Sequence, residues 1–542
     1  MPSEPPPRKR PGRKTPWWAS ATIYQIYVRS WRDSNGDGVG DLVGICDNLD
    51  YLRWLGVDAV WLSPTMPSPN ADWGYDVSDY CGVHPDLGTL ADLDRLIAEA
   101  AEREIGVMLD LVPNHTSSAH PWFVDALCGK GAAHRDYYVW AGPGPGGGPP
   151  NNWLCASGAP AWTFEPGSGQ YYLHNFLPAQ PDLNWWYEPV HREFEEILRY
   201  WFDRGVAGFR IDVAHGLYKD ARLRDNPPTG PSDHPAVRRG LLRPVYSSHR
   251  PEVHEIYRRW RQIADGYEQG PALLGETWEF DYQRLGDYYG REAPELHMGF
   301  NFSFVEAAFT APALAEVVEA TLDNLPVGAM PVWTASNHDV GRFPTRWCGN
   351  DARAVKAALT LLSTLPGTVV LYYGDELGMA EVDVPVPRQL DEMTMGRPAS
   401  ERRDRCRTPM PWSSGENGGF TSPGARPWLP LGDVSATNVA TEKAGPGSVL
   451  NFWRQLASLR HDGRIGSLDK LERVLLDDQV WAYRVGELTI VANLSDQVAT
   501  RSLPDDEHLT VVLSSATAAP GAAVGRELRL EPWEALVLSP LP

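Results

Sequence analysis

Read for apolar and polar positions, the chain repeats a two-part unit over most of its length. Short, largely apolar runs recur: "TIYQIYVRSW", "VDAVWLSP", "IGVMLDLVPNH", "VAGFRIDVAH", "ALLGETW", "LHMGFNFSF", "PVWTASNHD" and "GTVVLYYGDE". Runs of this length without strict alternation predict strands buried on both faces. Between them lie stretches such as "TLADLDRLIAEAAERE", "REFEEILRYWFDRG" and "RAVKAALTLLSTLPG", whose apolar residues return every three or four positions and predict amphipathic helices. Eight strand-like runs alternating with helices predict an α/β chain folded as a closed parallel (β/α)8 TIM barrel, with its chemistry at the C-terminal ends of the strands.

Two segments break the alternation. Residues 115–184 are rich in Gly, Pro, Trp and Tyr and too long for a βα loop, which predicts a subdomain inserted after the third strand and overhanging the barrel mouth. Within it Gly142, Gly144 and Gly147 match GxGxxG. The interleaved prolines cannot open the helix that a dinucleotide site needs, so that reading is rejected. From residue 464 onward the pattern changes to short alternating runs, "QVWAYRVGELTIVANLS" and "LTVVLSS", which predict a small antiparallel β-domain. The barrel is thereby assigned residues 17–114 and 185–463, and the C-terminal domain residues 464–542. Residues 1–16, basic and Pro-rich with no apolar stretch behind them, read as a disordered tail and not as a signal peptide.

Composition narrows the partners. Lys and Arg (49) against Asp and Glu (70) give a formal charge of −21, which disfavours nucleic acid and anionic membranes and favours a neutral or cationic small ligand. Six cysteines without CxxC spacing read as reduced thiols in a cytoplasmic protein. No run approaches the ~18 apolar residues of a membrane helix.

The polar strand ends carry the candidate chemistry. In "GFRIDVAH", Arg210 and Asp212 are two apart and point to one side of a strand, so the guanidinium is expected to hold Asp212 ionised, as a nucleophile requires. "LLGETW" places Glu276 after an apolar run, where a raised pKa would suit a proton donor. "SNHDV" adds His338 and Asp339, and "DLVPNH" adds Asp110 and His115. After the first strand, "DSNGDGVGDL" sets oxygen-bearing side chains at alternate positions like the start of an EF-hand loop, but Gly44 stands where such a loop has its bidentate Glu.

"DLVPNH", "QPDLNW", "GFRIDVAH", "GETW" and "SNHD", in this order, resemble the ordered motifs of the α-amylase superfamily of glycoside hydrolases. "DSNGDGVGDL", "GYDVSDY" and "CRTPMPW" resemble its exo-acting oligo-1,6-glucosidase and α-glucosidase branch. The resemblance implies that Asp212 is the nucleophile, Glu276 the general acid/base and Asp339 the carboxylate that stabilises the transition state. It implies that His115, Arg210 and His338 bind the same sugar, that Asp76 and Arg407 close the pocket beyond its non-reducing end, and that Tyr75 and Phe176 form its floor and wall. It also implies a structural Ca2+, with Mg2+ as the alternative, on Asp33, Asn35, Asp37, Asp41 and the carbonyl of Val39. Three carboxylates within nine residues repel one another without a cation; the bland alternative is a solvated Asx-turn.

The activity so implied is retaining release of α-glucose from short α-glucosides, by a monomer or small homo-oligomer. Val213 after the nucleophile matches α-1,6 enzymes of the branch, whereas "AH" after it departs from them. "GFRIDVAHG" with "HDVGRFPTRW" resembles actinobacterial α-glucosidases acting on maltose-type α-1,4 substrates, which is the linkage favoured. Oligo-1,6-glucosidase, transglycosylation by a glucosyltransferase, and sucrose or trehalose isomerase activity stay open on the same scaffold. A rival of another class, the transporter heavy-chain ectodomain, is disfavoured by intact carboxylates and the lack of a membrane helix.

Overall fold

The computed structural model describes residues 16–394, 398, 401–466, 470–503, 508–516 and 518–540. The tail expected over the first sixteen residues thus lies, apart from Pro16, outside the described residues.

The eight apolar runs form the strands β1 (Thr22–Ile26), β2 (Ala59–Leu62), β3 (Gly106–Leu111), β4 (Gly208–Ile211), β5 (Ala272–Gly275), β6 (Met298–Gly299), β7 (Val332–Trp333) and β8 (Thr368–Tyr372). Each pairs in parallel with its sequence neighbour from β1 to β6, β7 pairs with β8, and β8 pairs with β1. A parallel bridge from Phe300 to Val332 joins the remaining edges and closes the barrel. Its interior is filled by Ile23, Trp61, Met108, Leu274, Phe300 and Val370 among others, while intervening residues such as Tyr24, Val60, Leu109 and Phe209 pack outward under the helices. This two-sided burial is why the strands read as continuous apolar runs. At Gly208, a Cβ would come 2.2 Å from the carbonyl oxygen of Ala272, so β4 can approach β5 this closely only without a side chain.

The helices follow their local signals. Leu90–Ala101 begins in a capping box, with Thr89 accepting from the Asp92 N–H and Asp92 reaching back to the Thr89 N–H, a pairing that satisfies two otherwise orphaned donors. Glu188–Asp203 and Ala352–Thr364 supply the other expected helices. Two runs are shorter as strands than expected: "LHMGFNFSF" contributes two strand residues before Asn301 caps the helix Phe302–Glu306, and "PVWTASNHD" contributes two. The Asn301 side chain accepting from Phe304 N stops the sixth strand early.

Between β3 and β4 the chain forms a three-stranded antiparallel sheet, Trp140–Ala141, Gln170–Leu173 and Trp162–Glu165, over its own core of Trp153, Cys155, Ala161, Trp162 and Leu173. Bridges from His115 to Asp182 and from Tyr138 to Leu183 bring this excursion back to the barrel rim. At the C-terminus six antiparallel strands, from Leu471–Leu476 to Ala535–Pro540, form one sheet, and Ala499–Ser502 pairs with Glu527–Leu530 in a second.

Candidate active site

The barrel turns the ends of β3, β4 and β5 toward one point. Arg210, on the inward side of β4 and fully buried, sends Nη1 to Asp110 Oδ1 at 2.8 Å and to Asp212 Oδ1 at 2.8 Å, and Nη2 to Glu276 Oε2 at 2.9 Å. Its guanidinium carbon lies 5.0 Å from the centre of the Trp61 ring. Three carboxylates share one cation. Burial pushes Asp212 well above the usual carboxylate range; Arg210 opposes this, and Glu276 and Asp110 add to it. Burial likewise raises Asp110 to about 6 against the pull of Arg210. Arg210 still favours the ionised form of Asp212 that a nucleophile needs, but it divides its charge among three carboxylates and does not act on Asp212 alone.

The apolar setting expected for Glu276 is also corrected. Besides Arg210, its Oε2 accepts from the Val213 N–H at 2.8 Å, and its Oε1 from Trp278 Nε1 at 3.1 Å. Val213 has φ +45°, a left-handed backbone that costs a β-branched residue about 1–3 kcal/mol. That turn aims the Val213 N–H at the Glu276 carboxylate and the Ala214 N–H at the Glu276 carbonyl, 3.0 Å away.

A second constellation gathers on the segments after β2, β7 and β8. Asp339 receives Arg407 Nη2 at 2.9 Å and Arg403 Nη1 at 3.0 Å, and lies 3.2 Å from His338 Nε2. Burial pushes Asp339 up, but its basic neighbours hold it well below the usual carboxylate range. Those neighbours are His338 first, then Arg403 and Arg407; burial in turn pushes His338 well below the usual imidazole range, opposed by the Asp339 charge. Gln25 Nε2 donates to His338 Nδ1 at 2.8 Å, which assigns the His338 proton to Nε2, facing the Tyr75 hydroxyl at 2.6 Å. Tyr75 in turn donates to Asp110 Oδ2 at 3.0 Å. The Tyr75 and His338 rings stack with centroids 5.1 Å apart. His115 Nε2 donates to the Tyr75 carbonyl at 3.1 Å, and its ring centre lies 5.1 Å from that of Phe176.

Between the two groups is a cavity of about 430 Å3 lined by Asp72, Tyr75, His115, Phe176, Asp212, Glu276, Asp339 and Arg403, together with Ala156, Val213, His215, Trp278, Met393, Thr394 and Glu401. Asp76 and Arg407, expected to close it, do not pair. The Asp76 carboxylate is buried and accepts from Ser68 Oγ at 2.6 Å and from the N–H groups of Ala71 and Asp72, each at 3.0 Å; it shapes the turn that presents Asp72. The pair in the cavity wall is Asp72 with Arg403, 2.7 Å apart. Arg407 sits behind Asp339, its Nε donating to the His338 carbonyl at 2.8 Å.

The family model described as "Alpha amylase, catalytic domain" matches residues 25–466. The chain belongs to the alpha-amylase family. It is a glycoside hydrolase of that family, and residues 472–537 match a second model, a domain of unknown function (DUF3459). The chain is 39% identical over 508 residues to a probable alpha-glucosidase of Rhizobium meliloti (strain 1021), covering 90% of this chain and 91% of that protein. It is 34% identical over 571 residues to an oligo-1,6-glucosidase of Parageobacillus thermoglucosidasius, covering 96% and 98%. The crystal structure of an alpha-glucosyl transfer enzyme, XgtA, matches with a TM-score of 0.90 at 37% identity, over 97% of this chain and 100% of that one. Among the described residues no helix is long and apolar enough to cross a membrane.

The loop after β1 forms a ladder of Asx turns. Asp33 Oδ1 accepts from Asn35 N and Gly36 N, Asn35 Oδ1 from Asp37 N, and Asp37 Oδ1 from Val39 N, at 2.7–3.0 Å. Asp41 accepts from Gly44 N at 2.6 Å and caps the next helix. Among the described residues no group of three or more His, Cys, Asp or Glu is arranged to hold a metal. An all-oxygen donor set nevertheless suits a hard cation, and the Asp33 charge acts on Asp41, which burial first and Asp33 further raise.

Proposed function

We propose that the protein is a retaining, exo-acting α-glucosidase that releases α-glucose from the non-reducing end of short α-1,4-glucosides. The observation that carries this reading is the pair Asp212 and Glu276 held on neighbouring nitrogens of one buried guanidinium at the wall of a small cavity. Carboxyls so close together suit a retaining pair, roughly 5–5.5 Å apart, better than an inverting pair spaced for an intervening water.

In the first step Asp212 attacks the anomeric carbon and Glu276 protonates the leaving oxygen, giving a β-glucosyl ester; water activated by the same Glu276 then releases α-glucose. Asp339, with Arg407 and Arg403 behind it, offers an ionised carboxylate to the hydroxyls of the bound sugar and to the charge that develops on its ring. Asp72 and Arg403 replace Asp76 and Arg407 as the groups that would grip the terminal sugar and block a longer chain. Tyr75, His115, Phe176 and His338 complete its walls.

The "AH" following Val213 supports the α-1,4 linkage, and both Val213 and His215 line the cavity. Glucosyl transfer is the second reading, favoured by the likeness to an alpha-glucosyl transfer enzyme over nearly the whole chain. The Asx ladder would hold Ca2+ or Mg2+ as a structural ion, through Asp33, Asn35, Asp37, Asp41 and the Val39 carbonyl, with no part in the chemistry. Six free cysteines support a reducing, cytoplasmic setting. Chromatographic resolution of the products from maltose, isomaltose, sucrose and trehalose tests the reading: glucose released fastest from maltose is expected, whereas an isomerised disaccharide from sucrose as the main product would overturn it.

A further inference from the structure

Resting on the reading of Glu276 as the general acid/base, we propose that His249 and Glu279 are positioning residues that hold the Glu276 loop in place through His215. His215 lies three residues after Asp212 and lines the cavity, and its Nδ1 faces the Glu276 carbonyl at 3.3 Å. A carbonyl oxygen offers only lone pairs, so this contact places the proton of a neutral His215 on Nδ1. The Ala214 N–H donates to the same carbonyl at 3.0 Å, and the buried Tyr257 hydroxyl donates to the Ala214 carbonyl. The segment after β4 thus grips the Glu276 backbone, while the Val213 N–H and Trp278 Nε1 hold its carboxylate.

His249, just before the helix Val253–Asp265, sets the His215 ring. Its N–H donates to the His215 carbonyl at 2.7 Å, and the two imidazoles stack with centroids 4.7 Å apart and planes 29° from parallel. His249 takes φ +54° to do so, a left-handed backbone that a residue with a side chain keeps only where its surroundings hold it. Glu279 supplies that hold. Buried three residues beyond Glu276 on the same loop, it sets Oε2 3.2 Å from His249 Nδ1, and its Oε1 accepts from the Asp281 N–H at 2.9 Å. Burial pushes Glu279 up, but His249 and the Asp281 N–H hold it below the usual carboxylate range, so an anion faces the His249 ring. Burial, then His249, push His215 down to about 3, which keeps it neutral and in one tautomer. The contacts close a ring: along the chain from Glu276 to Glu279, then to His249, to His215 and back to the Glu276 carbonyl. Opening it would let the Glu276 carboxyl drift from the leaving oxygen, which slows departure of a group that needs a proton and spares one that does not.

The test compares maltose, whose leaving sugar needs a proton, with α-glucosyl fluoride, whose leaving group needs none. Glu279→Ala should lower kcat/KM for maltose about 10- to 100-fold, through kcat more than KM, and that for α-glucosyl fluoride less than about threefold. Glu279→Gln, which keeps an acceptor for His249, should recover part of the loss. With His215→Ala already in place, adding Glu279→Ala should change the ratio of the two substrates less than about twofold, because the link is already cut. Nitrogen NMR of the labelled histidines, with His215 identified by its absence from His215→Ala, should show the Nδ1–H tautomer in the wild type and a mixture in Glu279→Ala. Equal losses on both substrates, a Glu279→Ala effect that persists without His215, or a His215 tautomer unchanged by Glu279→Ala would overturn the proposal. A wild type that cleaves neither substrate refutes the glucosidase reading instead, and the tautomer comparison still decides whether Glu279 acts on His215.

Discussion

Lys219 offers the most direct energetic test of how the inserted subdomain is held over the cavity. Its Nζ is 2.7 Å from Asp182 Oδ2 and 2.7 Å from Asn114 Oδ1, and the Lys and Asp side chains are 3% and 0% exposed. Burial lowers the Lys219 pKa and the Asp182 charge opposes that fall. Asp182 lies where the insertion returns to the barrel, and Asn114 precedes His115, donating to its Nδ1 at 3.1 Å. Lys219→Met would leave the Asp182 carboxylate buried with only the Asn114 amide and the Asn175 N–H as donors. Breaking one side of a buried pair costs about 3–5 kcal/mol. With an unfolding entropy of about 2.1 cal/mol/K per residue, roughly 1.1 kcal/mol/K for the chain, the melting temperature should fall about 3–4 °C by calorimetry if the chain unfolds as one unit. KM should rise, because Asn114 loses the partner that fixes it beside His115. Lys219→Met with Asp182→Asn should cost clearly less than the two single changes summed. A Lys219→Met protein as stable as wild type, or strict additivity in the cycle, would refute the claim that this pair ties the insertion to the barrel.

Other outcomes follow from the same geometry. Arg403→Ala should lower kcat/KM for maltose by about 100-fold or more, since Asp72, Asp339 and Asp391 lose their shared cation; Asp76→Asn should act more weakly, and an equal loss at both positions would contradict the assignment of Asp72 and Arg403 to the cavity wall. Maltose and maltotriose should be cleaved much faster than soluble starch, and an early ladder of maltodextrins from starch would mean an open cleft. If the Asx ladder binds an ion in the folded state only, each tenfold excess of Ca2+ over its dissociation constant adds about 1.4 kcal/mol; chelator should then lower the melting temperature of the wild type but not of Asp37→Ala/Asp41→Ala, and an identical response in both would identify the loop as a plain polar turn.

Much of the barrel was legible because its strands are buried on both faces, so pattern alone separated them from the amphipathic helices. β6 and β7 were overestimated because "NFSF" and "ASNHD" are as apolar or extended in composition as strands, and only the Asn301 cap distinguishes the first. Arg210, Asp212 and Glu276 were legible because they are fixed by strand period and strand end. Asp72 was missed because "NADWGYDVSDY" offers three aspartates in a loop without period. The choice among them is made by backbone conformation, with Trp73 at φ +51° and Gly74 at φ +108°, and by Asp76 turning its carboxylate onto the N–H groups of the same turn. Arg403 was passed over for Arg407 four residues on: the 3-10 turn Arg403–Cys406 decides which of them faces the cavity. What "RID" alone could not show is that Asp110, from another strand, also pairs with Arg210.

The central claim is that Asp212 forms a covalent β-glucosyl ester under acid/base control by Glu276, and the most direct measurement is to trap that ester. Glu276→Gln given α-glucosyl fluoride, whose leaving group needs no proton, should accumulate one glucosyl group per chain, because no base remains to activate water. Mass spectrometry of peptic fragments should locate the group on Asp212, and Asp212→Asn should show none. A glucosyl group on another residue, or none in Glu276→Gln while the wild type releases β-glucose first, would contradict the account.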